Sequence, residues 1–146
     1  VIGLLQRVRW ASVTIGEERV AAIDHGLLVL VGVEAQDQPG SAGRLLDRLV
    51  HYRVFADADG RMNRSLLQTG GGLLLVPQFT LAADTGKGRR PGFSRAAPPG
   101  QGRHLFETLV VEATALPLAV GAGRFGADML VTSCNDGPVT FWLQAT

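Results

Sequence analysis

Asn135-Asp136-Gly137-Pro138-Val139-Thr140-Phe141-Trp142-Leu143-Gln144 puts a Gly-Pro pair beside an apolar, β-branched run, and Met129-Leu130-Val131-Thr132-Ser133 is a similar run just upstream. Two strands on either side of a sharp corner account for this pattern, and a helix does not. Proline lacks an amide hydrogen and fixes φ, while glycine tolerates dihedrals closed to other residues. Such a corner presents carbonyl oxygens to a donor, for example an ammonium group. A second irregular segment, Pro77-Gln78-Phe79-Thr80-Leu81, follows the apolar run Leu73-Leu74-Leu75-Val76 and opens into a basic, glycine-rich loop. The two segments read as halves of one site.

Working outward, residues 2–15 are rich in β-branched and apolar positions and read as strand. Gly16-Glu17-Glu18 turns the chain, residues 19–23 return as a second strand, and Asp24-His25-Gly26 turns it again into a buried strand over 27–33. Over residues 41–52 the apolar positions Ala42, Leu45, Leu46, Leu49 and Val50 recur at helical spacing, with Ser41 as candidate N-cap. Asp59-Gly60 marks a loop or hairpin. Residues 65–69 are ambiguous, and Gly70-Gly71-Gly72 breaks the chain before the strand at 73–76. Leu105, Phe106, Leu109, Val110 and Ala113 define a second helix within residues 100–115, beginning near Gln101 or Gly102, and Pro117 stops it. The expected fold is therefore α+β: a mainly antiparallel, barrel-like sheet with two inserted helices. No G-x-G-x-x-G follows a strand, and Gly86-Lys87-Gly88 lacks the spacing of a P-loop, so nucleoside-triphosphate chemistry is set aside.

At 146 residues the chain fits one domain, residues 1–146, burying about two-thirds of its unfolded surface. Its amino terminus lacks the pattern of a secretory signal, and no apolar run approaches the roughly 20 residues of a membrane span. The expectation is a soluble, cytoplasmic protein. A single cysteine, Cys134, excludes an internal disulfide, and with three scattered histidines it gives no zinc site. No metal and no cofactor are expected.

Net charge is only +1, yet no acid lies between Asp84 and Glu107, an interval that holds Lys87, Arg89, Arg90, Arg95 and Arg103. This is a local cationic loop. Arginine supplies all of the chain's cations but Lys87, which fits forked phosphate recognition and equally fits composition bias. The chemistry-bearing side chains are sparse. Thr80 invites a nucleophile reading, but no neighbouring base activates it. His25, His51 and His104 read as satisfied surface or helix residues, Cys134 as a small apolar one, and the carboxylates do not pair at any suggestive spacing. What remains is the backbone: an abrupt strand end aims amides, here those of Gln78 and Phe79, at a developing oxyanion.

The chain resembles the D-aminoacyl-tRNA deacylases over essentially its whole length. The resemblance is carried by residues 2–7, by Gly26-Leu27-Leu28-Val29-Leu30-Val31-Gly32-Val33, and by Phe79-Thr80-Leu81-Ala82-Ala83-Asp84 followed by Arg90-Pro91-Gly92-Phe93-Ser94. Gly123-Arg124-Phe125, Ala127-Asp128-Met129 and the terminal Asn135 to Gln144 motif complete it. It implies hydrolysis of the ester between a D-amino acid and the 3′ end of tRNA, with glycyl-tRNA also accepted, by a homodimer with no membrane or DNA partner. It further implies a cis Gly137-Pro138 peptide that inserts across the dimer interface, its carbonyls meeting the substrate α-amino group. Arg7 would brace that corner, amides near Gln78 and Phe79 would hold the carbonyl oxygen, and Thr80 would position the ester or its water with help from the ribose 2′-hydroxyl. Pro77 and Phe125 would line the substrate site, and Lys87, Arg89, Arg90 and Arg95 would meet tRNA. One departure stands out: the family usually has serine where this chain has Pro77, which deletes a hydroxyl and an amide hydrogen. The resemblance thus leaves open a catalytically impaired module that only binds the tRNA end. A conventional threonine-nucleophile hydrolase is a third class.

Overall fold

The computed structural model describes residues Val1–Thr146. Its strands in chain order are β1 (Ile2–Ile15), β2 (Glu18–Ile23), β3 (Gly26–Gly32), β4 (Phe55–Ala56), β5 (Met62–Arg64), β6 (Gly72–Pro77), β7 (Val120–Ala122) and β8 (Leu130–Gln144). The helices are α1 (Ser41–His51), α2 (Leu66–Thr69) and α3 (Pro99–Thr114), with a 3-10 turn at Phe79–Ala82.

The long first strand organises the sheet. One edge of β1 pairs with β8, from Ile2↔Gln144 to Thr14↔Leu130. Its other edge is shared by β3, against residues 2–8, and β2, against residues 11–15, and all three pairings are antiparallel. Beyond β3 the sheet changes character, because β6 joins β3 and β7 joins β6 in parallel. The sheet rolls until β7 comes back towards β2: a Cβ on Gly121 would sit 3.2 Å from the Cβ of Ala21. The result is a nearly closed barrel.

The sheet is mainly antiparallel and barrel-like, as expected, and the two parallel pairs at one side of it are the added detail, with a reason present in the chain. Parallel neighbours require a crossover of a dozen or more residues. The segments between β3 and β6, with α1 and α2, and between β6 and β7, with α3, are such crossovers. Parallel strands covered on both faces read as continuous apolar runs. In β3 and β6, Leu27, Val29, Leu73 and Leu75 join the core under the helices, whereas Leu28, Leu74 and Val76 join a second cluster inside the barrel with Val8, Val13 and Ile23. The two strands lie so close at their start that a Cβ on Gly26 would fall 1.9 Å from the carbonyl oxygen of Gly72.

Three helices form rather than two. The ambiguous segment at 65–69 is α2, closed by a capping box in which Ser65 Oγ accepts from the Gln68 amide and Gln68 Oε1 accepts from the Ser65 amide. Ser41 is the first residue of α1 and not its cap; Gly40 takes the cap position, while Ser41 Oγ accepts from the Gln38 amide at 2.9 Å. Helix α3 starts a little earlier than expected, because Pro99 suits a first helical turn where its missing N–H costs nothing. Strand β7 is only three residues long and carries no pattern of its own. The Asp59-Gly60 turn joins β4 to β5, and Asp57 anchors this hairpin. The Asn63 side-chain amide, then backbone amides beginning with that of Arg61, hold the Asp57 carboxyl below its ordinary range. No helix is long and apolar enough to cross a membrane.

Candidate active site

Strand β6 ends at Pro77, which lies opposite Val31 in the parallel ladder. The next amide, that of Gln78, still belongs to this ladder and donates to the Val31 carbonyl at 2.7 Å. This corrects one expectation: the Gln78 N–H is committed to the sheet and cannot serve an oxyanion. The chain then folds into the 3-10 turn, closed by Leu81 N–H to Gln78 O at 3.2 Å and Ala83 N–H to Thr80 O at 3.1 Å. The leading amides of such a turn, those of Phe79 and Thr80, have no acceptor within it.

Beside this turn lies a cavity of about 510 Å³. Leu28, Leu30 and Val76 form part of its lining, with Pro77, Phe79 and Phe125 also contributing. Three of the expected site residues, Pro77, Gln78 and Phe79, therefore meet Phe125 across one pocket. Its polar groups come from Gln6, Gln78, Asp128 and Ser133. Thr80 is exposed, and Gln78 Nε2 donates to its Oγ1. An amide donor orients a hydroxyl but does not remove its proton, so Thr80 has no general base from this partner.

The Gly-Pro corner is placed elsewhere in the protomer. Strand β8 continues through the corner where two separate strands were expected, and the disturbance appears instead as register shifts against β1 between Gln6 and Val8 and between Val8 and Trp10. The Gly137-Pro138 peptide is cis, and Gly137 has φ +127°. Both residues are exposed, and neither lines the cavity of its own chain. Side chains alternate across a strand, so Gln6 turns into the pocket while Arg7 lies under the corner. Arg7 Nε donates to Asp136 O at 3.0 Å and its Nη1 to Val54 O at 2.6 Å. The guanidinium thus joins the residue before Gly137 to the segment leading into β4. Around it, the Asp136 carboxylate lies 3.7 Å from Arg7, 3.9 Å from Arg9 and 3.9 Å from His25.

The cationic loop is ordered by its own backbone. Asp84 and Gly92 exchange amide-to-carbonyl bonds of 2.7 and 2.9 Å, and Asp84 Oδ1 accepts from Gly86 N–H. Lys87, Arg89, Arg90 and Arg95 are all exposed; Arg95 lies 3.9 Å from Asp84, and the other three have no ion pair. Phe93, from the same loop, packs on Phe79 with ring centroids 5.2 Å apart. Gln6, Asp128 and Ser133 were not anticipated as pocket residues. For Gln6 and Ser133 the sequence shows only a polar side chain in a strand-like run, whose face depends on register, and Asp128 lies in the segment just before β8.

A nearly closed mixed barrel, with a strand end turning over a pocket, is the D-aminoacyl-tRNA deacylase-like fold. A solved structure titled "Structural Analysis of a probable eukaryotic D-amino acid tRNA deacylase" shares it with a TM-score of 0.77 at 16% identity, covering 97% of each chain. Another, titled "c-Myc DNA Unwinding Element Binding Protein", aligns with a TM-score of 0.93 and 34% identity over 100% of this chain and 99% of that one. The chain belongs to the D-Tyr-tRNA(Tyr) deacylase family, whose sequence profile matches residues 4–144. It is 62% identical over 142 residues to the D-aminoacyl-tRNA deacylase of Azotobacter vinelandii, covering 97% of this chain and 98% of that protein. The Pseudomonas savastanoi deacylase is also 62% identical, over 139 residues, with coverages of 95% and 96%.

Proposed function

We propose that this protein hydrolyses the ester linking a D-amino acid to the 3′ end of tRNA, releasing free amino acid and tRNA. The observation that carries the reading is the strand end at Pro77, where the backbone turns beside a pocket with Phe79 and Thr80 amides leading the turn. In the attack, water adds to the ester carbonyl carbon and the carbonyl oxygen takes up negative charge facing these amides. Collapse expels the ribose oxygen, which takes the proton given up by the attacking water. Donors already in position are worth most at this point, and losing one typically costs about 2.7–4 kcal/mol. Thr80, oriented by Gln78, positions the ester or its water, and the neighbouring ribose 2′-hydroxyl assists.

Chirality is sensed by main chain. In a homodimer the exposed Gly137-Pro138 corner of one protomer enters the pocket of the other, where its carbonyls accept from the substrate ammonium. An L side chain then collides with the corner, a D side chain points away, and glycine, with no side chain, is also accepted. A thousandfold preference corresponds to about 4 kcal/mol, which a clash with backbone can supply. The dimer is supported by large apolar side chains left exposed on the β1–β8 pair, Trp10, Leu130, Val131, Phe141 and Trp142. One domain over residues 1–146, acting in the cytoplasm on phosphates met by Lys87, Arg89, Arg90 and Arg95, completes the reading.

Incubation of the purified protein with matched D- and L-aminoacyl-tRNA tests it. The D ester is cleaved and the L ester is spared by about 10³-fold; equal rates overturn the reading. Pro77, buried at the pocket edge, favours a second reading, a module that binds the tRNA end with impaired turnover. Pro77→Ser then raises the rate on D-aminoacyl-tRNA, and an unchanged rate removes that alternative.

A further inference from the structure

The ring of Phe93, packed on the ring of the pocket-lining Phe79, has no part in the chemistry so far. Phe79 and Phe93 are 57% and 42% exposed, large rings that a core would normally hide. They pack at an interplanar angle of 47°, leaving much of Phe93 open to solvent. The ring is not on a loose loop. The Asp84–Gly92 bond pair closes the loop immediately before it, Phe93 O accepts from Ala96 N–H at 3.1 Å, and Arg95 O accepts from Ala35 N–H at 2.9 Å. Its neighbours are cationic: Arg89 and Arg90 precede it, Arg95 follows, and Asp84 is the nearest acid in sequence before Glu107.

A rigid exposed aromatic flanked by exposed arginines, packed on a ring that lines a pocket, is the combination by which proteins hold unpaired nucleotides. The ring takes the face of a base and the cations take the phosphates on either side. We propose that Phe93 is a stacking platform for an unpaired nucleotide preceding the acylated terminal nucleoside, with Arg90 and Arg95 on the flanking phosphates. The opposite flank of the pocket, between α3 and residues 122–127, fits such a strand less well, because it offers no exposed ring: Phe106 is buried, the Phe125 ring carries Arg103 at 5.1 Å, and Arg103 is itself paired with Glu107 at 3.8 Å. This inference rests on the deacylase reading for the identity of the RNA, but binding tests it separately from turnover.

The probe is a fluorescently labelled RNA hairpin with a short unpaired 3′ tail, compared by anisotropy with the same hairpin made blunt. Wild-type protein binds the tailed form more tightly. Phe93→Leu weakens the tailed form by about tenfold while Phe93→Trp, which keeps a face for stacking, stays within about twofold. Equal affinity of wild type for tailed and blunt RNA overturns the proposal, as does Phe93→Leu binding the tailed form like wild type or weakening both forms alike. In parallel, the ratio of kcat/KM on D-aminoacyl-tRNA to that on the D-aminoacyl ester of adenosine alone falls about tenfold in Phe93→Leu. An unchanged ratio means that Phe93 only supports Phe79, and it too overturns the proposal. Failure of wild type to cleave either ester would defeat the deacylase reading, while the anisotropy result would still judge Phe93.

Discussion

Among single residues, the proposed reaction is tested most directly at Gly137 and Thr80. At Gly137 the φ of +127° lies in the region that favours glycine, and a Cβ there would sit 2.9 Å from Val139 Cγ2 and 3.1 Å from Arg7 Nη2. Gly137→Ala must therefore move the corner or Arg7. It is expected to cost about 1–3 kcal/mol of stability in urea melts, with a loss of D-aminoacyl-tRNA hydrolysis greater than the unfolded fraction explains. Full activity would show that the corner is not in the reaction. Thr80 differs, because its hydroxyl is oriented by an amide and not by a base. Thr80→Ala is expected to slow turnover by up to about 10²-fold without abolishing it, with no covalent acyl-enzyme burst in rapid-quench experiments on wild type. A burst, or complete loss in the variant, would restore the nucleophile reading.

Among the elements, the β3–β6 junction fixes the site. Both strands bury two faces, so their register decides which side chains face the pocket and which face the helices. It also sets the height at which Pro77 leaves the sheet and Gln78 makes its last ladder bond to Val31. Gly26 lets the strands meet, since an added Cβ would overlap backbone atoms of Gly72, which unlike a flexible side chain cannot swing away. Gly26→Ala is expected to destabilise the protein by more than about 4 kcal/mol, measured by chemical denaturation or seen as failure to recover folded protein. A neutral substitution would contradict this pairing.

For the molecule as a whole, the corner does not line the pocket of its own chain, and in the proposed homodimer it enters the pocket of the other. The apolar side chains exposed along β1 and β8 would be costly on a lone soluble chain, and burying them against a second copy contributes about 25 cal/mol per Å² of apolar surface. Leu130→Arg combined with Trp142→Arg, at side chains 70% and 51% exposed, is expected to leave the fold intact and convert a dimer to monomer in light scattering. Hydrolysis should fall with the dimer, because each pocket would lose its corner. An active monomer would refute the shared site.

The sequence by itself determined most of the strands, β1 to β3 and β6 among them, and the two longer helices, and it marked the Gly-Pro and Phe-Thr segments on which the proposed site is built. Those features are written in local periodicity, in turn residues and in the Gly-Pro and Phe-Thr segments. The Ser65-x-x-Gln68 pair is also a local signal for α2, short as that segment is. Tertiary structure alone decided the register of the parallel pairs β3–β6 and β6–β7, the placing of Gln6 in the pocket and Arg7 under the corner, and the loss of the Gln78 amide to Val31. The physical reason is common to all of these. A side chain's face and an amide's partner follow from register between strands distant in sequence, and register is fixed by packing around the barrel and not by the local run of residues.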